Sequence, residues 1–173
     1  MKDRLLKAFL LTLMLAASCL GQTPDELRRK YGKPETLSHK SSQVLVQRYT
    51  GGRNITITVK FADQRRACQL RIEPSQGLSI GDSSEVMSAD EAYKLTEELA
   101  PMAERGRLIK TSNVGLGCSM VVYQEYERVM IATATRCTQR EGGIYSVIIR
   151  WKDTACEQID RKERGPQAAG SLE

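Results

Sequence analysis

The stretch ITITVKF, residues 55–61, sets Ile55, Ile57, Val59 and Phe61 against Thr56, Thr58 and Lys60, and Asn54 precedes it in the same sense. A period of two is that of a strand with one buried face, and Ile and Thr favour the pleated backbone. Working outward, Cys68, Leu70 and Ile72 alternate with Gln69, Arg71 and Glu73, and Gln43 to Tyr49 reads as a mixed third strand. Gly51-Gly52 and the run from Ala62 to Arg66 supply the turns between them. Three more strands are expected further on, over residues 119–126, 129–135 and 144–151. In the last of these Tyr145, Val147, Ile149 and Trp151 share a face, and Gly142-Gly143 marks the turn before it.

Each set of strands follows a punctuated helix. Thr23-Pro24-Asp25-Glu26 offers a hydroxyl at the N-cap, proline at the first helical position and Glu26 three residues after the cap. Arg28, Arg29 and Lys30 suit the negative end of the helix dipole, and Gly32 with Pro34 ends the element. Ser88-Ala89-Asp90-Glu91 repeats the capping box, and Ala92, Leu95, Leu99 and Met102 recur at helical spacing before Gly106. Pro101 should kink or end that helix near Leu99. The expected fold is therefore α+β, an antiparallel sheet with helices on one face. The order helix, strand, strand, strand occurs twice, which suggests two helix-plus-three-strand units by duplication; chance recurrence of a common capping box is the alternative. Residues 22–156 make one such domain, and 157–173 (EQIDRKERGPQAAGSLE) have little to bury and are expected to be a disordered tail.

The chain begins like an export signal. Lys2, Arg4 and Lys7 form a positive head, and residues 8–17 (AFLLTLMLAA) form an apolar run too short to span a bilayer. Residues 1–21 are read as removed. Small residues at Cys19 and Gly21 fit cleavage before Gln22, and Ala16 and Ser18 fit cleavage before Cys19. A lipoprotein peptidase would also cut before Cys19, since Leu15-Ala16-Ala17-Ser18-Cys19 resembles a bacterial lipobox, although Ala16 stands where a branched apolar residue is preferred. The expectation is a periplasmic or secreted protein, with a lipid on Cys19 holding it to the envelope as the alternative.

Charge adds little. The leader takes three of the 26 basic and one of the 21 acidic side chains. The remaining cations lie in short clusters interleaved with acids, so nucleic acid is not an expected partner. The other cysteines are Cys68, Cys118, Cys137 and Cys156; no C-x-x-C pair occurs, and His39 is the sole histidine, so neither a metal site nor any other cofactor is expected. Four thiols in an exported chain point to two disulfides with three connectivities open. A hairpin over residues 119–136 turning at Glu127-Arg128 would favour Cys118 with Cys137.

LRRKYGKPE, residues 27–35, resembles the helix-Gly-x-Pro opening of small bacterial envelope proteins of the BamE type. The doubled helix-and-strands order is similar to the beta-lactamase inhibitor protein fold. These resemblances imply an exported binding or scaffold module, and they carry over no site residue.

Catalytic sets are incomplete. Gly81-Asp82-Ser83 resembles the nucleophile block of GDSL-type esterases, but Ser84 stands where that family has leucine, and no Asp-x-x-His follows to take the serine proton. Glu97-Glu98 and Glu125 with Glu127 are the carboxylate pairs a glycosidase would need, yet aromatics for stacking a sugar make up only 5 % of the chain. Asn54-Ile55-Thr56 fits a glycosylation acceptor and equally a strand start. The expected function is a non-catalytic module that binds a protein or envelope component through a sheet face or edge. A secreted hydrolase of the esterase or glycosidase type is the alternative.

Overall fold

A computed structural model of the chain describes residues 21–37, 44–52, 54–62, 66–75, 86–116, 119–136 and 143–152. Helix α1 (Pro24–Tyr31) leads into β1 (Glu35–Leu37), β2 (Val44–Thr50), β3 (Ile55–Ala62) and β4 (Arg66–Pro74). Helices α2 (Ala89–Leu99) and α3 (Met102–Arg105) lead into β5 (Leu108–Leu116), β6 (Ser119–Tyr126), β7 (Val129–Arg136) and β8 (Gly143–Trp151). The strands form one antiparallel sheet in the order β1-β2-β3-β4-β8-β7-β6-β5. Two meanders thus share a seam where β4 pairs with β8, Leu70 opposite Ile149 and Ile72 opposite Val147.

One transverse row shows where the core sits. Thr36, Gln47, Val59, Leu70, Ile149, Ile131, Gln124 and Thr111 are successive partners from β1 across to β5. The four central members are buried and apolar, and the row turns polar toward both edges. Burying each central side chain stabilises the fold by about 1.5–3 kcal/mol, so the sheet is held most firmly at the seam.

Both expected helix starts are present with reciprocal caps. Thr23 Oγ accepts from the Glu26 N–H at 3.3 Å while the Glu26 carboxylate accepts from the Thr23 N–H at 2.7 Å. Ser88 and Glu91 repeat the exchange at 3.2 and 3.1 Å. The cap hydrogen bonds hold both Glu26 and Glu91 below the usual carboxylate range. Helix α2 stops at Leu99, two residues before Pro101, as proline requires. Leu27 of α1 and Ala92, Leu95 and Leu99 of α2 join the core beside Phe61 and Trp151.

The class differs from the α+β expectation. Strands hold 59 % and helices 22 % of the described residues, so the fold is mainly β, an eight-stranded sheet with a few short helices. The expected pair of three-stranded units is corrected as well: each half has four strands, and the ladder runs unbroken across the seam. Both additional strands are edges. β1 has three residues, and β5 has no buried residue from Leu108 to Gly115, so neither shows the alternation that marks a half-buried strand.

Three register shifts move faces that simple alternation assigns, one of them in β5 between Leu108 and Lys110. Between β3 and β4 the register skips Cys68, so Ala67 opposes Phe61 and takes the inward place. Between β7 and β8 a shift after Ala134 puts Ile144 against the core and leaves Tyr145 43 % exposed, so Tyr145 does not share the buried face of Val147, Ile149 and Trp151.

Candidate functional site

Two regions of the second meander stand out. The first lies between α2, α3 and the inward face of β6 to β8. Gly106 ends α3 at φ 77°, and a Cβ there would sit 2.7 Å from the Glu127 carboxylate, so glycine lets the chain reverse closely over the β6–β7 turn. This reversal directs Arg105 back beneath α2, where its side chain is 4 % exposed. Its Nε donates to Ala100 O at 2.5 Å and its Nη2 to Thr96 O at 3.2 Å. The guanidinium so satisfies carbonyls at a helix end that has no basic residue in its own last turn. Nη2 also lies 2.6 Å from Glu97 Oε1, off the hydrogen-bonding direction, which makes this contact a charge pairing. The guanidinium carbon is 5.6 Å from the centre of the Tyr126 ring.

Beside this cluster is a cleft of about 410 Å³, lined among others by Tyr93, Met102, Gln124, Ile131, Thr133 and Val147. Its apolar floor and amide and hydroxyl groups suit an uncharged ligand. Glu97 and Arg105 neutralise each other on its wall, so they offer no uncompensated charge.

The candidate carboxylate pairs do not converge. Glu97 faces Arg105, whereas its neighbour Glu98 accepts from the Tyr31 hydroxyl and pairs with Lys30 at 3.0 Å. Burial pushes the Glu98 carboxyl up, but the Tyr31 hydrogen bond and the Lys30 ammonium outweigh it and leave the group below its ordinary value. Burial first, then the bond to Glu98, raises the Tyr31 phenol well above its ordinary value. Glu125 accepts from Lys152 at 2.8 Å and Glu127 from Arg107 Nε at 2.7 Å. Those hydrogen bonds hold both carboxyls below the usual range, opposite to the raised acid of a glycosidase.

The second region is the free edge. β5 has nine residues, and Ile109 and Val114 are 60 % and 61 % exposed on it. On the face opposite the core, Val114 opposes Val121, which opposes Ala134. This apolar row enters a shallow groove of about 400 Å³ that also touches Ser119, Arg136 and Tyr145. The Arg136 guanidinium stands 5.6 Å from the Tyr145 ring centre.

Cys68 is disulfide-bonded and buried. Cys19, Cys118, Cys137 and Cys156 lie outside the described residues, as do His39 and the Gly81-Asp82-Ser83 stretch. The described β6–β7 register reaches Met120 opposite Thr135 and turns at Glu127-Arg128, as the hairpin reading expected. Among the described residues no group of three or more His, Cys, Asp or Glu side chains is placed to hold a metal. Sequence reasoning missed Arg105 and β5. Gly106 was the signal for the first, and the uncharged run after Lys110 for the second.

No family model matches the chain, and no curated protein does. Among solved structures it is similar to a DUF4309 family protein, YjgB, from Bacillus subtilis, at 8 % identity and a TM-score of 0.40, over 79 % of this chain and 84 % of that one. It is also similar to an extracellular protein containing a SCP domain from Bacillus anthracis, at 12 % identity and a TM-score of 0.39 over 91 % of this chain. The chain spans about half, 51 %, of that second protein. Likeness of this degree transfers no activity, ligand or location.

Proposed function

We propose that the chain is an exported, non-catalytic binding module of the cell envelope, and that its contact surface is the β5 edge with the adjoining groove. The observation that carries this reading is the edge itself: a nine-residue strand exposed along its described length, Val114 included, with exposed Tyr145 in the adjoining groove. Strand edges present a row of backbone donors and acceptors that pairs readily with another chain, so a long uncovered edge is a binding surface unless it is blunted. The leader-like residues 1–21, the disulfide at Cys68 and the BamE-type opening at residues 27–35 support the envelope. The engaged state of Glu97, Glu98, Glu125 and Glu127 favours binding over hydrolysis.

A photo-crosslinking residue placed singly at Lys110, Ser112 or Val114 in the producing cell should trap a protein adduct in the envelope fraction. The same probe at Arg48 or Thr58, on the outer face of the first meander, should trap none. Equal yields from both meanders, or a protein found whole in the cytoplasm with Met1 retained, would defeat the reading.

A further inference from the structure

We infer that the chain forms a symmetric dimer in which β5 pairs antiparallel with the β5 of a second copy, about a two-fold axis at Val114. This deepens the proposal above and rests on its reading of the edge.

β5 is as long as β4 and β8 at the seam, and beyond Lys110, where its register shift lies, it has none of the devices that keep edges apart. It holds no proline, and its one charged residue is Lys110, near its start. The opposite edge is blunted: β1 has three residues, one of them Glu35, which is paired with Arg48 at 3.2 Å.

Charge decides the occupant. From Thr111 to Gly115, through the opposed residues of β6 from Met120 to Gln124, there is no ionisable side chain except the Tyr123 phenol. An acidic or basic partner strand would desolvate its charges here without compensation, whereas a second copy brings an edge as uncharged as its own.

Symmetry then narrows the register. Opposed residues in an antiparallel pair share a face, so a two-fold axis through such a pairing passes through a residue position. Centring on Val114 sets it against its own copy, sets Asn113 against Gly115, and keeps the two Lys110 residues far from each other. The row Ala134–Val121–Val114 then continues through the axis into Val114–Val121–Ala134 of the second copy, joining two apolar strips that run from half-buried Ala134 and Val121 to exposed Val114. Pairing of this isologous kind closes at two copies and sets residues 112–116 of one β5 against 112–116 of the other, clear of the register shift before Lys110.

Sedimentation equilibrium of the purified product of the full chain, from low to high micromolar, should show a monomer–dimer equilibrium. Val114→Arg puts two cations on the axis and should weaken it at least tenfold. Thr58→Arg, on the first meander, should leave it unchanged. Val114→Cys under mild oxidation should give a reductant-sensitive covalent dimer that the wild type does not form. Unchanged circular dichroism and thermal midpoint would show that Val114→Arg is folded; if it is not, the Val114→Cys cross-link decides. A wild type monomeric throughout, or a dimer indifferent to Val114→Arg, overturns the inference. In either case, crosslinks from β5 to other envelope proteins would leave the edge reading standing, and their absence would end both.

Discussion

Each meander sets four strands after helical structure, α1 in the first and α2 with α3 in the second, yet the two put their apolar residues to different use. In the first, Ile55, Ile57, Val59 and Phe61 of β3 are all buried, and the sheet closes with a three-residue edge. In the second, the inward face becomes polar at Gln124 and Thr111, a buried Arg105 holds the helices together, and the sheet runs out to a long exposed edge. The first meander spends its strand length on the core. The second carries length that the core does not need, and such length is where an interaction surface can be kept without loss of stability.

That contrast is broken most severely at Arg105. Arg105→Met should take the Ala100 carbonyl's guanidinium donor, leave the Thr96 carbonyl with the Ala100 N–H alone and Glu97 without its counter-charge, and should cost about 3–5 kcal/mol of unfolding free energy, read from urea midpoints. Adding Glu97→Leu should recover much of the loss, because an apolar pair can replace a buried ion pair at little cost. If Arg105→Met is neutral, the helices of the second meander are held by something other than this cluster.

The seam offers the next largest effect and a direct comparison along one row. Ile149→Ala should destabilise by about 2–5 kcal/mol through lost burial and the cavity left behind. Thr111→Ala, at the β5 end of the same row, should stay within about 0.5 kcal/mol. Equal losses would mean that the free edge contributes to the core after all.

Much of this arrangement was legible in the residues and some of it was not, for a common physical reason. Sequence periodicity registers the difference between a wet and a dry face. Ile55 to Phe61 and Val147 to Trp151 have that difference, so their strands were evident, and the capping boxes at Thr23 and Ser88 marked both helix starts. β5 has no dry face, and β1 is too short to show a period, so the sheet was read two strands narrow and its helical share was overestimated. Bulges displaced Cys68 and Tyr145 by a single residue, which alternation alone cannot detect. Arg105 was hidden because an arginine in a polar stretch carries no mark of burial until the Gly106 reversal is known.

The caps allow a smaller test of whether the two meanders are equally firm. Thr23→Ala and Ser88→Ala each remove one acceptor from a first helical turn and should each cost about 1 kcal/mol. A clear excess at Ser88 would show that α2, which roofs the cleft, carries more of the fold than α1.

The smallest expected effect lies where the helices of the two meanders touch, since Tyr31 and Lys30 come from α1 and Glu98 from α2. Glu98 is held below its ordinary value of 4.5, so its contribution is present above that pH and is lost as pH falls through the lowered value. Tyr31 is raised above its ordinary 10.0, so its contribution is complete below that pH and is lost as pH rises toward the raised value. Tyr31→Phe removes the donor that Glu98 accepts from and the phenol that would ionise. It should therefore flatten the pH dependence of the thermal midpoint at both ends. Lys30 lies half in solvent, so Lys30→Met should flatten only the acid side, and by less. If Tyr31→Phe left both limbs unchanged, the helices would be coupled through the shared core of Leu27, Leu95 and Leu99 and not through this polar contact.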